Sequence, residues 1–331
     1  MASWLQKQWF SLTGWHLLLM PISWLFLSLI TFRRLFYYLG WFKSYRLPVP
    51  VVVVGNINVG GTGKTPLVIW LVEQLQQAGF KPGVISRGYG GKAEIPASVS
   101  AHSDPLQAGD EPVLIARRSQ CPVYVHANRT LAGQALLSAH PECNIIISDD
   151  GLQHYRLRRD IEVAVIDGAK GFGNGALLPA GPLREPASRL NRVDAVVVNG
   201  VLNTAINIVN VPILNMQLVA DTFFNLKEPY KTCGAQTFAN QQVLAVAGIG
   251  NPERFFQQLM QMGIHFTSKA FPDHYAFNES DFNSTSADIV LMTEKDAVKC
   301  QAFAKPHFWA LPVKAAIKND LMTIILNKLR P

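Results

Sequence analysis

A chain of 331 residues, 49% of them hydrophobic, is long enough to bury more than one core, so two domains are the expectation. The net charge of +7 is local: Lys7, Arg33, Arg34, Lys43 and Arg46 place five positive charges and no acid in residues 1–50, leaving two for the rest. That distribution argues against a nucleic-acid protein, which spreads a basic stripe over its folded face; Cys121, Cys143, Cys233 and Cys300, without C-x-x-C or zinc spacing, read as reduced thiols of a cytosol-facing protein.

Residues 11–32 contain no Asp, Glu, Lys or Arg. At about 1.5 Å rise per residue such a helix reaches across a hydrocarbon core of about 30 Å. His16, Pro21, Ser23 and Ser28 interrupt it, and a helix lying in one leaflet fits the same residues. The apolar run is longer than a signal-peptide core, and no small-residue cleavage site follows. Instead Arg33, Arg34, Tyr37, Tyr38, Trp41 and Lys43 form an aromatic and basic girdle that, by the positive-inside rule, keeps the remainder cytoplasmic. The plainer alternative is an N-terminal core helix.

Four valines, Val51 to Val54, predict a buried strand. Gly55, Asn56, Ile57, Asn58, Val59, Gly60, Gly61, Thr62, Gly63, Lys64 and Thr65 then lead into an apolar helix. This is the strand–loop–helix setting of a phosphate-binding P-loop. The expected nucleotide cradle is Asn58, Val59, Gly60, Gly61, Thr62 and Gly63, with Lys64 reaching the β- and γ-phosphates and the Thr65 hydroxyl on Mg²⁺. Asn58 stands where the pattern has its first glycine; asparagine visits the left-handed region more readily than other side chains.

Further strands are expected near residues 84–86, 123–125, 144–148, 161–167 and 195–198, alternating with helices, which predicts a parallel, doubly wound sheet. Loops at the carboxyl ends of such strands carry ligands. Arg87 falls in one and is a candidate phosphate clamp, or simply a solvated arginine. Asp110 opens the helical stretch 110–116 and reads as an N-cap or as a catalytic acid or base. Asp149 and Asp150 end the strand at 144–148 and are candidate ligands for a Mg²⁺ shared with a nucleotide, against a capped turn as the plain reading. His154 follows on the same rim. Residues 168–186 form a long loop rich in glycine and proline, with Lys170, Arg184, Arg189 and Arg192 in or just after it. It suits an anion-receiving lid or a solvated loop.

Residues 205–235 read as a linker into a smaller α/β lobe, with strands near 243–247, 266–271, 289–292 and 308–311 and a helical C-terminus. There His274 beside Asp273 invites an acid–base reading; a loop histidine is the plainer one.

Seven stretches together resemble one family, the tetraacyldisaccharide 4'-kinases of lipid A synthesis: residues 51–66, 86–91 (SRGYGG), 108–116 (AGDEPVLIA), 148–157 (SDDGLQHYRL), 166–186, 247–256 and 292–300 (MTEKDAVKC). The resemblance implies ATP and Mg²⁺. It implies transfer of the γ-phosphate to the 4'-hydroxyl of an acylated glucosamine disaccharide 1-phosphate lipid, at the cytoplasmic face of the bacterial inner membrane. It assigns Asp110 as the catalytic acid that takes the hydroxyl proton, His274 as its partner and Asp149 and Asp150 as metal-site acids, with Lys64 at the phosphates. Relatives commonly carry a small hydroxyl residue at position 58. The expected organisation is a membrane-anchor helix with its basic flank (1–46), a P-loop kinase domain (47–210) and a smaller α/β domain (211–331). The competing function is a membrane-associated GTPase or transport ATPase; no N-K-x-D string supports guanine reading.

Overall fold

The structure is a computed structural model and describes residues 8–9, 11, 13–88, 95–203, 208–282, 287–318 and 320–329. Lys7, and Tyr89, Gly90 and Gly91 of the arginine–glycine loop, lie outside the described residues.

Fifteen strands are seen among the described residues: β1 Val51–Gly55, β2 Pro82–Ser86, β3 Ala97–Val99, β4 Val123–Val125, β5 Ile145–Asp149, β6 Ile161–Asp167, β7 Ala195–Asn199, β8 Ile213–Val219, β9 Phe223–Asn225, β10 Thr232–Cys233, β11 Val243–Ala247, β12 Thr267–Ala270, β13 Ile289–Thr293, β14 Phe308–Leu311 and β15 Lys314–Ile317. They form two sheets, in the orders β15-β8-β7-β6-β1-β5-β2-β4-β3 and β10-β9-β14-β13-β11-β12. The first is parallel from β8 to β4, with antiparallel strands at both edges. β1 lies between β5 and β6 at its centre. Its valines alternate between two cores: Val52 and Val54 pack with Leu67, Leu71 and Leu75 of the helix Lys64–Gln77, and Val51 and Val53 pack on the other side with Leu136 and Leu152. Burial on both faces is what an unbroken valine run encodes in a parallel sheet.

The expected domain boundary at residue 210 is moved by the topology. β8, inside the stretch read as a linker, pairs with β7 of the first sheet. After the second sheet is complete, β15 returns to pair with β8, and the helix Asp320–Leu329 buries Leu321, Met322 and Ile325 in the first core. The second lobe is therefore an insertion between β8 and β15. Both connecting strands are largely exposed near the sheet edge, with Met216 of β8 and Ala315 of β15 buried.

The helix Gly14–Tyr38 lies against the first lobe. Ser23 is buried: its hydroxyl donates to the Leu177 carbonyl (2.9 Å) and accepts from the Ala180 amide (3.1 Å). Phe26, Leu27 and Ile30 pack on the core, and Arg33 donates to the Gln153 carbonyl (3.1 Å). The opposite faces expose Trp15, Leu17, Leu18, Trp24, Leu25, Leu29 and Phe32. By length and apolarity the helix is a candidate span.

Candidate active site

The carboxyl ends of β2, β1, β5 and β6, adjacent in the sheet, bring Arg87, the P-loop, the paired acids and Asp167 to one rim. Beyond β1 the loop is held by its own side chains. The Asn56 amide donates to the Gly60 carbonyl and the Thr62 hydroxyl (both 3.4 Å), and Asn199, at the end of β7, donates to the Thr62 carbonyl (3.1 Å). Gly63, with φ +91°, caps the helix Lys64–Gln77, so Lys64 and Thr65 occupy its first turn. A Cβ on Gly63 would lie 2.4 Å from the Asn199 Nδ2. Gly63→Ala should cost about 1–3 kcal/mol through left-handed strain and this clash. Equilibrium urea unfolding checks it, and an unchanged midpoint would mean the loop is not held as described.

Asn58 does not present its side chain to the cradle. Its Nδ2 donates to the Gly171 carbonyl (2.6 Å), and the Val59 amide donates to the Pro182 carbonyl (2.9 Å). The long loop is therefore fastened to the P-loop and is not a solvated lid. Within it Glu185 is buried, accepting from the Gln153 amide (3.0 Å) and the Tyr155 hydroxyl, and the Arg184 amide donates to the Ile57 carbonyl (2.6 Å).

Lys64 Nζ lies 3.5 Å from Asp150 Oδ1, and Arg184 Nη1 lies 3.2 Å from Asp150 Oδ2. Asp150 sits at φ +48°, in the left-handed region that aspartate enters more readily than most side chains. The two cations hold its carboxyl below the ordinary range against the opposing effect of burial. Asp149 differs. It is buried, Oδ2 accepts from Ser86 Oγ (3.2 Å) and Oδ1 has no partner among the described residues. Burial, then Glu111 and Asp150, push its pKa up to about 7. An orphaned carboxylate oxygen beside a phosphate cradle fits a cation shared with a nucleotide. Of the acid pair, Asp149 thus keeps an oxygen without a partner among the described residues, and Asp150 is paired with Lys64 and Arg184. Among the described residues no group of three His, Cys, Asp or Glu that could hold a metal ion is seen. Arg129 is buried behind the pair, its Nη2 3.5 Å from the Asp150 carbonyl. Arg87 is exposed, on the same rim.

Asp110 is not a cap. Gly109, at φ +96°, holds the N-cap position of the helix Asp110–Ser119, and Asp110 is its first residue. Its carboxylate is buried, 5% exposed, and meets His274 Nδ1 at 3.1 and 3.2 Å although 164 residues separate them. Lys295 Nζ is 3.8 Å and Lys299 Nζ 4.0 Å away. Burial opposes ionisation, but the His274 hydrogen bond and then Lys295 prevail, so the Asp110 pKa is lowered. The same hydrogen bond raises that of His274. His274, at φ +58°, is aimed from the second lobe by the turn after β12.

The lobes are joined around this dyad by residues the sequence reading left without a role. Lys295 meets Glu111 (2.9 Å) and Asp273 (3.6 Å), and Arg118 Nη1 donates to both carboxylate oxygens of Glu294 (2.9 and 3.0 Å). Lys299 pairs with the buried Asp296 (2.7 Å). Lys295 and Lys299 are four apart on the short helix Glu294–Cys300, hence on one face. That spacing, after a strand end, was the available signal. Nearby, Gly250 brings its backbone so close to the P-loop that a Cβ there would lie 3.2 Å from the Gly61 amide nitrogen. Arg254 donates to Asn199 Oδ1 (2.8 Å) and Lys170 to the Gly250 carbonyl (3.3 Å). The cleft thus sets a phosphate cradle beside a carboxylate that is buried, anionic and backed by an imidazole and two ammonium groups.

Comparison with known proteins places this cleft in context. A family model described as tetraacyldisaccharide-1-P 4'-kinase matches residues 15–330. A tetraacyldisaccharide 4'-kinase of Methylobacillus flagellatus is 54% identical over 99% of this chain and 96% of its own. One from Pasteurella multocida is 48% identical over 97% of each. Among solved structures, LpxK from Aquifex aeolicus in complex with ATP superimposes with a TM-score of 0.80 at 30% identity, covering 95% of this chain and 99% of that one.

Proposed function

The chain belongs to the tetraacyldisaccharide 4'-kinase family and is an ATP-using kinase of lipid A synthesis; on that premise we propose how its residues carry the γ-phosphate to the 4'-hydroxyl of an acylated glucosamine disaccharide 1-phosphate. The observation that carries the reading is the contact between Asp110 and His274, made across two lobes beside the P-loop. Phosphoryl transfer asks mainly for positioning and charge stabilisation. The P-loop amides from Gly60 to Gly63 and the helix N-terminus at Lys64 and Thr65 receive the phosphate oxygens. Lys64 and Arg184, held in reserve on Asp150, and Arg87 on the rim stabilise charge on the transferred group. Asp110 accepts the proton of the sugar hydroxyl, and His274 fixes the carboxylate's orientation. Asp149, with the Thr65 hydroxyl, is the proposed holder of Mg²⁺, which when bound neutralises charge on the β- and γ-oxygens.

Lys295 is assigned a positioning role, keeping Asp110 anionic and the lobes in register. The charged groups facing Asp110 are His274, Lys295 and Lys299. Removing one cation raises the Asp110 pKa, so in Lys295→Met the acidic limb of kcat/KM should move to higher pH by about one unit. Lys295→Arg should restore it. A lower rate with an unmoved limb would mean that Lys295 only joins the lobes.

The N-terminal helix is proposed to attach the enzyme to the cytoplasmic face of the inner membrane. Its bonds through Ser23 and Arg33 tie it to the body, which favours lying in one leaflet over crossing both. The acceptor's acyl chains leave a bilayer at about 0.8 kcal/mol per CH₂, so the enzyme meets its substrate there. The direct test is transfer of label from γ-labelled ATP to the disaccharide lipid, with the 4'-phosphate located by mass spectrometry. Label released only as inorganic phosphate would sink the kinase reading in favour of a plain ATPase.

A further inference from the structure

Between the second half of the helix Gly14–Tyr38 and residues 155–160 lies a cleft of about 790 Å³ that the transfer chemistry does not use. Arg34, Arg158 and Arg192 line it, with Tyr37, Tyr38 and Tyr155 among its walls. A smaller cavity of about 290 Å³ shares Arg34 and Arg192, so the two form one basic cleft. Other cations at the cleft are already matched: Arg46 pairs with Asp160 (2.8 Å), and Arg159 and Arg189 pair with Glu162 (3.0 and 2.6 Å). Arg34, Arg158 and Arg192 have no carboxylate partner among the described residues; Arg34 lies 6.0 Å over the Tyr155 ring.

Three unmatched guanidiniums converging on an aromatic cleft make a receptor for a doubly accepting anion. The cleft sits on the helix whose outer faces are apolar, beside the exposed Tyr38, Trp41 and Phe42, residues suited to the headgroup level. Building on the membrane attachment proposed above, we infer that this cleft binds the phosphate of a membrane lipid, seating the enzyme on an anionic headgroup beside its embedded helix. The chemistry required is a phosphate ester held at the bilayer surface. The acceptor's own 1-phosphate and a neighbouring acidic phospholipid both offer it.

The test is sedimentation of the full-length protein with phosphatidylcholine vesicles, with and without phosphatidylglycerol. Neutral vesicles report the apolar helix alone. Arg34→Gln/Arg192→Gln should lose about tenfold in affinity for the anionic vesicles and nothing for the neutral ones. A control on the same flank but outside the cleft, Lys43→Gln, should lose less than about twofold. An equal loss per charge removed in the two variants would mean diffuse attraction and overturn the site. Absence of wild-type binding to any vesicle would instead remove the attachment reading, and this inference with it. Millimolar inorganic phosphate that releases the wild type, where chloride of equal ionic strength does not, would assign the cleft to free phosphate and overturn the lipid assignment. The two lipid sources separate in neutral detergent micelles: a raised KM of the double variant for the acceptor assigns the acceptor's phosphate, and an unchanged KM with lost vesicle affinity assigns the bilayer phospholipid.

Discussion

Asp110→Asn should lower turnover by about 10²- to 10⁴-fold, the usual worth of a positioned general base, with ATP affinity within a few-fold of wild type. The carboxamide keeps the shape and can still accept a hydrogen bond from His274, but it takes no proton. The site is buried and the carboxylate faces His274, Lys295 and Lys299, so the variant also leaves two ammonium groups short of a counter-charge. Some loss of stability is therefore expected, and turnover must be measured below the variant's melting range. ATP affinity is read from the ligand-induced rise in Tm, independent of turnover. The pH profile adds a second check. Because the Asp110 pKa is lowered, the wild type remains competent well into acid. Because that of His274 is raised, the imidazolium persists to higher pH before activity declines. In His274→Ala the hydrogen bond that favours the carboxylate is gone, and the acidic limb should move up in pH. A rate for Asp110→Asn within threefold of wild type would return Asp110 to the role of a counter-ion for the lysines.

Lys64→Met should lower kcat/KM by about 10²- to 10³-fold, the usual cost of one preorganised charge-stabilising group, and should also reduce the ATP-induced Tm shift. The reason lies in what the lysine does when no nucleotide is bound. Its ammonium rests 3.5 Å from Asp150, which Arg184 also holds at 3.2 Å. Removing the lysine leaves Asp150 paired, so the unliganded protein should melt within a few degrees of wild type. At saturating ATP of about 100 times Kd the wild type gains about 2.7 kcal/mol, and the variant should forfeit much of that gain. Near-wild-type turnover would show that the loop is not the seat of transfer.

Local chemistry made much of this cleft legible. A valine run, glycines and Gly-Lys-Thr announced the cradle, because a doubly buried strand and a backbone anion nest each need particular residues in immediate succession. Asp149 and Asp150 were legible for the same reason, at the end of an isoleucine strand, although only the structure separates the orphaned oxygen of Asp149 from the cation-paired Asp150. The pairing of Asp110 with His274 was not written locally; it came from resemblance, since no spacing rule connects residues in different lobes. Lys295 and Lys299 escaped for a similar reason, their partners Glu111 and Asp110 lying on a helix of the other lobe. Asp110 was misjudged as a possible cap because Gly109, at φ +96°, takes that position through its backbone. Residues 168–186 looked like a lid because glycine and proline dominate them, yet Ala180, Leu183 and Glu185 are buried against the body. The return of the chain to the first sheet was not legible because β8 and β15 pair across the whole inserted lobe, and no local pattern names a partner that distant.

The return of β15 and the final helix to the first sheet has a consequence for how the molecule is made. The helix Lys64–Gln77 packs against β1, β5 and the helix Asp110–Ser119, and also against β15, so its burial is completed only by a strand that follows the whole inserted lobe. Folding of the P-loop lobe therefore carries the loop-closure entropy of the entire insertion, and the two lobes are coupled in assembly through β8 and β15.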